Sequence, residues 1–177
     1  MRLITRRAGR LILIVAALTT IGCDRVTKHV AETMLAGMPE RSYLNDTVRI
    51  GYAENPGGFL GIGANLPQAA RTAFFTVATG LALVALGVLA IGPAVTGVAR
   101  LGLTLFIAGG GSNWIDRIVR GSVVDFLNIG VGPVRTGIFN VADVAIMIGA
   151  GLLLMAEFRK HREPEPAPLP PSESSHH

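Results

Sequence analysis

Long apolar runs dominate the pattern of hydrophobic and polar positions along the chain. No charged residue lies between Arg71 and Arg100, and the stretch TAFFTVATGLALVALGVLAIG exceeds the roughly 20 apolar residues that a membrane-spanning helix needs. Gly92 and Pro93 then break the helix, and a second run, AVTGVARLGLTLFIAGGGSNWI, follows at once. The pattern therefore predicts two spanning helices joined by a tight turn.

Two further apolar runs lie near the ends of the chain. LILIVAALTTIG follows an arginine-rich start, and TGIFNVADVAIMIGAGLLLMA, Thr136 to Ala156, is followed by the basic EFRKHR. Because basic flanks concentrate on the cytoplasmic side, an even number of spans places both termini in the cytoplasm. We therefore expect a mainly α integral membrane protein, with four transmembrane helices in a single domain at residues 1–162.

Two stretches between the spans are then expected on the outer side. In the first, about residues 38–66, TVRIGYA has strand-like character and is surrounded by Asn, Pro and Gly turn signals, which predicts a small extracytoplasmic β element. The second, about residues 114–136, predicts an outer loop with a short strand or loop at SVVDF. The Pro-rich tail at 163–177 predicts disorder.

Composition and charge narrow the classes of function. Of the 177 residues 50% are hydrophobic and 16% charged, and mean hydropathy is +0.48, which favours a membrane domain. The net charge is +4, but the basic residues lie mainly at the ends, so we expect no nucleic-acid binding. A single cysteine excludes an internal disulfide framework and a Cys-rich metal site. With no H-E-x-x-H motif either, we expect no metal and no cofactor.

The run LILIVAALTTIG could instead be a lipoprotein signal, because Cys23 follows it as the lipidated cysteine follows such a signal. Such a signal has a leucine three residues before the cysteine, where this chain has Thr20. Asp24 and Lys28 share one helix face at i,i+4 spacing, so the helical pattern continues past Cys23. We interpret the run as an uncleaved first span, and a lipoprotein anchored through Cys23 stays open as an alternative.

Candidate chemistry rests on aspartates in or beside the apolar runs. Asp143 lies about two turns into the last run, where a carboxylate costs about 2.5–3.5 kcal/mol on insertion scales, and Asn140 shares its face. Asp125 lies where the chain returns to the membrane. If both carboxylates meet, one holds a proton near neutral pH. One can then take a proton from water while the other donates one, which is the chemistry of peptide hydrolysis without a covalent intermediate.

Other interpretations of these residues stay open at this point. Asp143 can pair with an arginine such as Arg117 and lock the helix bundle, and spacing alone gives this equal weight. Asp143 can also titrate in a small transporter or proton-relay subunit, although no inverted repeat is visible. A Ser/Lys pair of Ser42 and Lys28 has nothing specific in its favour. A Ser-His-Asp triad lacks a base, since His29 is the only histidine away from the tail region.

Four motifs together carry a resemblance to a known family. They are DRVTK at 24–28, GGGSNWIDR at 109–117, VVDF at 123–126 and FNVAD at 139–143. In order and spacing they resemble lipoprotein signal peptidase, also called signal peptidase II, over roughly residues 10–160. The resemblance implies a protease of the bacterial inner membrane with an aspartyl site near the outer face. Such an enzyme cuts diacylglyceryl-modified prolipoproteins just before the lipidated cysteine. We expect it to act as a monomer among membrane lipids.

The resemblance also implies roles for single residues. Asp125 and Asp143 match the catalytic pair, and Asn140 matches the asparagine beside it. Asn113 and Arg117 match the polar residues that order the substrate and the outer loop. The remaining matches, at the outer end of the first span and in the outer β region, are Asp24, Lys28 and Asn55.

Two departures from the family pattern concern packing and a loop. Ser112 stands where many members have glycine, which affects close packing near Asn113. The family's common N-x-G-A-A-F is NPGGFLG here, one residue shorter before Phe59. The second departure changes the loop expected to cover the substrate and leaves the aspartate pair untouched.

Overall fold

The computed structural model describes residues 2–58, 63, 65–93, 95 and 97–162. Phe59 and the predicted disorder of the tail at 163–177 lie outside these residues. The helices are α1 (Arg2–Leu35), α2 (Gln68–Arg71), α3 (Thr79–Ile91), α4 (Gly97–Arg120) and α5 (Val141–Arg162). The strands are β1 (Arg41–Tyr43), β2 (Val48–Asn55), β3 (Val123–Val131) and β4 (Val134–Arg135). The mainly helical class with a small sheet agrees with the sequence-based expectation.

The first helix is continuous across the position where a lipoprotein signal would end. α1 covers 34 residues and passes Cys23 without a break. Cys23 itself is exposed on the helix surface, so it does not fill a gap between packed side chains. Asp24 and Lys28 face inward and are buried. The polar face of the second half of α1, rather than its cysteine, therefore contacts the rest of the protein.

The apolar run that begins TAFFTVATG forms one long helical rod with an irregular start. A π-helical segment, Thr72–Ala78, joins α2 to α3. The rod ends where predicted, because Gly92 adopts an extended backbone (φ −65°, ψ 156°) before Pro93. Within the described residues, two stretches are long and apolar enough to cross a membrane, Gln68–Ile91 and Val141–His161.

Helices α4 and α5 approach each other closely because glycines line their contact. A Cβ atom added at Gly102 would lie 2.8 Å from the carbonyl oxygen of Gly149, and one at Gly109 would collide with the carbonyl oxygen of Ala142. Small residues at such a contact let helix backbones pack tightly. This contact sets the start of α5 beside the second half of α4.

One antiparallel sheet, in the order β1-β2-β3-β4, joins the two outer segments predicted at about 38–66 and 114–136. Strand β2 pairs with β3, with Ala53 opposite Asp125 and Asn55 opposite Val123. The register shifts between Ile50 and Ala53. The strand expected near SVVDF thus extends over nine residues, and its pairing brings the end of β2 beside Asp125.

The boundary of the predicted outer loop differs from the expectation at 114–136. Residues 114–120 are helical and belong to α4. The helix stops at Gly121, whose positive φ of 77° suits a residue without a Cβ, and whose N–H donates to the carbonyl oxygen of Arg117 at 3.0 Å. As a result, Asp116 and Arg117 project from a rigid helix rather than from a loop.

Candidate active site

The two candidate catalytic aspartates come from different kinds of element. Asp125 lies in β3 within the buried stretch Val123–Phe126, and Asp143 lies in the first turn of α5. Both are buried, with only 2% and 5% of their surface exposed. Val124 and Phe126 pack with Ala31 of α1 in the hydrophobic core, which fixes the strand around Asp125.

Asn140 contacts both carboxylates. Its Nδ2 donates to Oδ1 of Asp125 at 2.6 Å, and its backbone N–H donates to Oδ2 of Asp143 at 3.2 Å. In return, the backbone N–H of Asp143 donates to Oδ1 of Asn140 at 3.0 Å. These reciprocal bonds between the residue before the helix and its third residue form a capping box. The hydrogen bonds that begin α5 therefore also hold the Asp143 side chain.

Two further asparagines complete the surroundings of the pair. Asn55, at the end of β2, donates from Nδ2 to Oδ2 of Asp125 at 2.9 Å. Asn113, on α4, donates from Nδ2 to Oδ1 of Asp143 at 2.9 Å. Each of the four carboxylate oxygens thus accepts an N–H from an uncharged group. Among the described residues, no salt bridge reaches either aspartate.

The environment of Asp125 favours a bound proton. Burial raises the pKa of the Asp125 carboxyl to about 6, because the charged form loses its hydration. The hydrogen bonds from Asn55 and Asn140 lower the pKa of Asp125, whereas the neighbouring Asp143 charge adds to the rise. Asp125 therefore exchanges its proton close to neutral pH, as a general acid or base requires.

A compact ion cluster lies next to the pair, between α1 and α4. Lys28 Nζ contacts Oδ2 of Asp24 at 2.7 Å and donates to Oδ2 of Asp116 at 2.8 Å. Arg25 pairs with the other oxygen of Asp116. Lys28 also donates to Oδ1 of Asn113 at 2.7 Å. Since that oxygen faces Lys28, the Asn113 amide nitrogen must face Asp143.

Asp24 ties the cluster to the start of α5. Its Oδ1 accepts the backbone N–H of Ala142 at 2.9 Å, and its Oδ2 accepts the hydroxyl of Ser112 at 2.6 Å. Ser112, the departure from the family's glycine, therefore adds a hydrogen bond where the expectation concerned packing alone. α1, α4 and α5 meet at this single carboxylate.

Arg117 contacts a loop rather than an aspartate. Its Nε and Nη2 both donate to the carbonyl oxygen of Gly57, at 3.1 and 2.6 Å. Asn55 holds the same loop, since its Nδ2 donates to the carbonyl oxygen of Gly58 and its Oδ1 accepts the N–H of Gly57, both at 2.9 Å. The ring of Phe75 lies 5.8 Å from the Arg117 guanidinium carbon. Arg117 therefore binds the loop backbone and, among the described residues, does not form the ion pair with Asp143 that was one interpretation of the sequence.

The sequence-predicted residues thus form two layers. Asn55, Asn113 and Asn140 touch the aspartates, whereas Asp24 and Lys28 support them from behind. Ser42 is remote from Lys28, because its hydroxyl donates to Asp46 in the β1–β2 turn. Asp116 and Arg25 belong to the supporting layer although the sequence predicts no role for them. The excess of cations over anions in DRVTK is the signal that a further buried carboxylate is needed.

Comparison with known proteins decides the family. The family model described as Signal peptidase (SPase) II matches residues 16–159. The chain belongs to the signal peptidase II family. Lipoprotein signal peptidase of Syntrophus aciditrophicus is 32% identical over 157 residues, covering 86% of this chain and 95% of that protein. The lipoprotein signal peptidase of Moorella thermoacetica is 31% identical over 152 residues, covering 84% and 96%.

Solved structures show the same fold. A bacterial membrane enzyme determined by the in meso method at 2.3 Å is 27% identical, with a TM-score of 0.76 over 90% of this chain and 94% of that one. A second, at 1.9 Å, is 27% identical with a TM-score of 0.70. As a signal peptidase II, this protein is an aspartic-type peptidase of bacterial membranes, which confirms the enzyme class expected from the motifs.

Proposed function

We propose that this signal peptidase II removes the signal peptide from diacylglyceryl-modified prolipoproteins, cutting just before the lipidated cysteine. Asp125 and Asp143 are its catalytic pair. The observation that carries this proposal is the pair of buried carboxylates joined by Asn140, whose hydrogen-bond donors among the described residues are all uncharged. Such surroundings orient a carboxylate without fixing its charge, so the pair can share one proton.

In the proposed reaction the pair activates water directly. The ionised carboxylate accepts a proton from a water molecule, whose oxygen attacks the carbonyl carbon of the scissile peptide bond. The protonated carboxyl group donates its proton to the carbonyl oxygen. The carboxyl group that took up the water proton donates it to the leaving amine as the C–N bond breaks, and the hydroxyl formed from the carbonyl oxygen returns its proton to the other carboxylate. The pair then again holds one proton, so the cycle needs no cofactor and no covalent intermediate.

The loop around Gly57 is the proposed cover over the substrate. Arg117 and Asn55 bind its backbone from two sides, and Gly58 lies against the Phe75 ring, where a Cβ would approach to 2.6 Å. Because Asn55 also contacts Asp125, the loop position and the orientation of Asp125 are linked. A peptide beneath this loop would meet the carboxylates with its backbone already ordered.

The proposed membrane arrangement has four spans with both termini in the cytoplasm. α1 and α4 cross beside the two strongly apolar stretches, which hide their buried charges from lipid. The outward side chains support this, since large apolar residues such as Leu18 on α1 and Leu81 on α3 are exposed. The aspartate pair then lies near the outer face, where a monomer meets lipid-anchored substrate and water together.

The deciding experiment is cleavage of a diacylglyceryl prolipoprotein by purified protein in detergent. We expect Asp125→Asn and Asp143→Asn each to lower the rate by about 10³-fold or more, since a catalytic pair acts as a unit. Asp46→Asn, on an exposed turn of the same sheet, is the matched control and should keep its activity. Size-exclusion profiles and circular dichroism check that each variant is folded. Cleavage retained by either catalytic variant would contradict the proposed mechanism. Proton flux across vesicles without cleavage would favour the alternative of a small transporter or proton-relay subunit.

A further inference from the structure

A cavity of about 850 Å³ opens at the opposite end of the bundle from the aspartates. It lies between the start of α1, the end of α3 and the start of α4. Its apolar wall includes Ile12, Leu13, Ile91, Val98 and Leu101. Arg100, in its lining, and Asn113, at the active site, are separated along α4 by about 20 Å, at about 1.5 Å per residue. The volume falls in the range of about 300–1,000 Å³ typical of ligand pockets.

Two arginines give this cavity a positive charge. Arg10 and Arg100 both line it, and no acidic side chain does so among the described lining residues. Arg100 donates from Nη2 to the carbonyl oxygen of Gly92 at 2.8 Å. Its Nε is buried and has no hydrogen-bond partner within the described part of the chain. The Arg100 guanidinium is therefore incompletely hydrogen-bonded in a cavity that Arg10 also lines.

We propose that the cavity binds an anionic phospholipid, with its phosphate between the two arginines and an acyl chain along the apolar wall. A guanidinium recognises phosphate through paired N–H donors. A soluble anion would satisfy the arginines but leave the apolar wall uncovered, whereas a phospholipid satisfies both. Anionic lipids also attract basic residues at the cytoplasmic surface. The inference rests on the proposed topology and not on the cleavage reaction.

The test is native mass spectrometry of the full-length enzyme in neutral detergent, with phosphatidylglycerol or phosphatidylcholine added at equal concentration. We expect phosphatidylglycerol to remain bound preferentially. Replacing one arginine should weaken phosphatidylglycerol binding about fivefold, since each basic residue near an anionic surface contributes about that factor. Arg10→Gln together with Arg100→Gln should weaken it about 30-fold. Arg159→Gln with Lys160→Gln removes the same charge near the same end of the bundle, outside the cavity, and should leave binding unchanged.

The remaining arms separate the alternatives. Glycerol 3-phosphate, which lacks acyl chains, should compete at least about tenfold more weakly than phosphatidylglycerol. Equal competition would show a site for free phosphate and overturn the proposal. Equal losses in the Arg159/Lys160 control would show general surface attraction and also overturn it. Arg10→Gln alone, at an exposed residue, keeps the test valid if the double variant fails to fold.

Cleavage activity provides an independent measurement. The double variant should cut prolipoprotein at a rate within about twofold of the unmodified enzyme, because Arg100 and Asn113, which donates to Asp143, are about 20 Å apart along α4. If the unmodified enzyme binds phosphatidylglycerol as expected but never cleaves, the proposed function fails and the lipid site stands. If it cleaves but shows no preference for phosphatidylglycerol, the lipid site fails and the proposed function stands.

Discussion

Two groups of buried aspartates lie side by side in this protein, and they are neutralised in opposite ways. Asp24 and Asp116 pair with Lys28 and Arg25 across α1 and α4. Within the described residues, Asp125 and Asp143 accept only amide N–H groups from asparagines and the backbone. A cation pairs with a carboxylate through its charge, whereas a neutral amide orients it through hydrogen bonds alone. The difference separates carboxylates that join helices through ion pairs from carboxylates that neutral donors hold in place.

Asn113 joins the two groups through hydrogen bonds on its two amide atoms. Its oxygen accepts from Lys28 and its nitrogen donates to Asp143. Lys28 therefore fixes the orientation of a donor to Asp143 without itself binding that carboxylate. The ion cluster thus orients a neutral donor to Asp143 without forming an ion pair with that carboxylate.

The largest effect on stability should come from breaking the ion cluster at Lys28. Only 6% of the Lys28 side chain is exposed, so Lys28→Met leaves Asp24 and Asp116 without their buried cation. Removing one partner of a buried ion pair costs about 3–5 kcal/mol. We expect this loss in the free energy of unfolding, measured by denaturant titration in detergent, together with reduced cleavage by the folded fraction.

Arg25→Gln is the matched control for Lys28→Met. Arg25 also pairs with Asp116, but 37% of its side chain is exposed, so water can replace part of its contact. We expect a clearly smaller loss of stability. Equal losses in both variants would contradict the view that Lys28 is the central cation of the cluster.

Changes around Asp125 and Asp143 should alter the pH dependence of cleavage rather than the stability of the fold. Since the pKa of Asp125 is raised to about 6, kcat/KM should fall as pH rises through that value and Asp125 loses its proton. Asn55 donates to Asp125 and so lowers the pKa. In Asn55→Ala the pKa of Asp125 should rise further, and the falling limb of the pH–rate profile should move to higher pH.

Asn128→Ala provides the comparison for this pH shift. Asn128 lies on the same strand as Asp125, but its Nδ2 donates to the carbonyl oxygen of Thr136. Asn128→Ala should leave the falling limb of the pH–rate profile at the same pH. A limb that stays in place in Asn55→Ala would show that Asp125 does not set the pH dependence.

The smallest effect should come from Asp46, an aspartate paired with cations at the surface. Hydrogen bonds from Arg49 and Ser42 hold the pKa of Asp46 well below its ordinary value of 3.8. Its contribution to stability is therefore present above pH 3.8 and is lost as pH falls below that value. We expect Asp46→Asn to lower Tm slightly at neutral pH and not at all in strong acid. A Tm difference that persists unchanged at low pH would contradict this.

The sequence predicted the parts of the site that depend on local spacing. Asn140 and Asp143 form a capping box within one helix start, and Asp24 and Lys28 meet at i,i+4 on one helix. These relations follow from helix geometry. The mainly helical class with a small sheet is likewise confirmed, while the four-span count stays a prediction.

Contacts between distant segments could not be predicted in this way. Asp116 pairs with Lys28, which is 88 residues away along the chain, and with Arg25, which is 91 residues away. The approach of Asn55 to Asp125 depends on a register shift between Ile50 and Ala53. Such pairings depend on how whole elements pack, and no local pattern in the sequence specifies them.

The position of Asp143 in the first turn of α5 has a consequence for biosynthesis. α5 is the last helix in the described part of the chain, and its opening hydrogen bonds are those that hold Asp143. A nascent chain that has already inserted α1 and α4 still lacks half of the aspartate pair. If Asp125 and Asp143 act together as proposed, a chain should stay inactive until α5 has been synthesised and packed, because without α5 only one carboxylate of the pair is present.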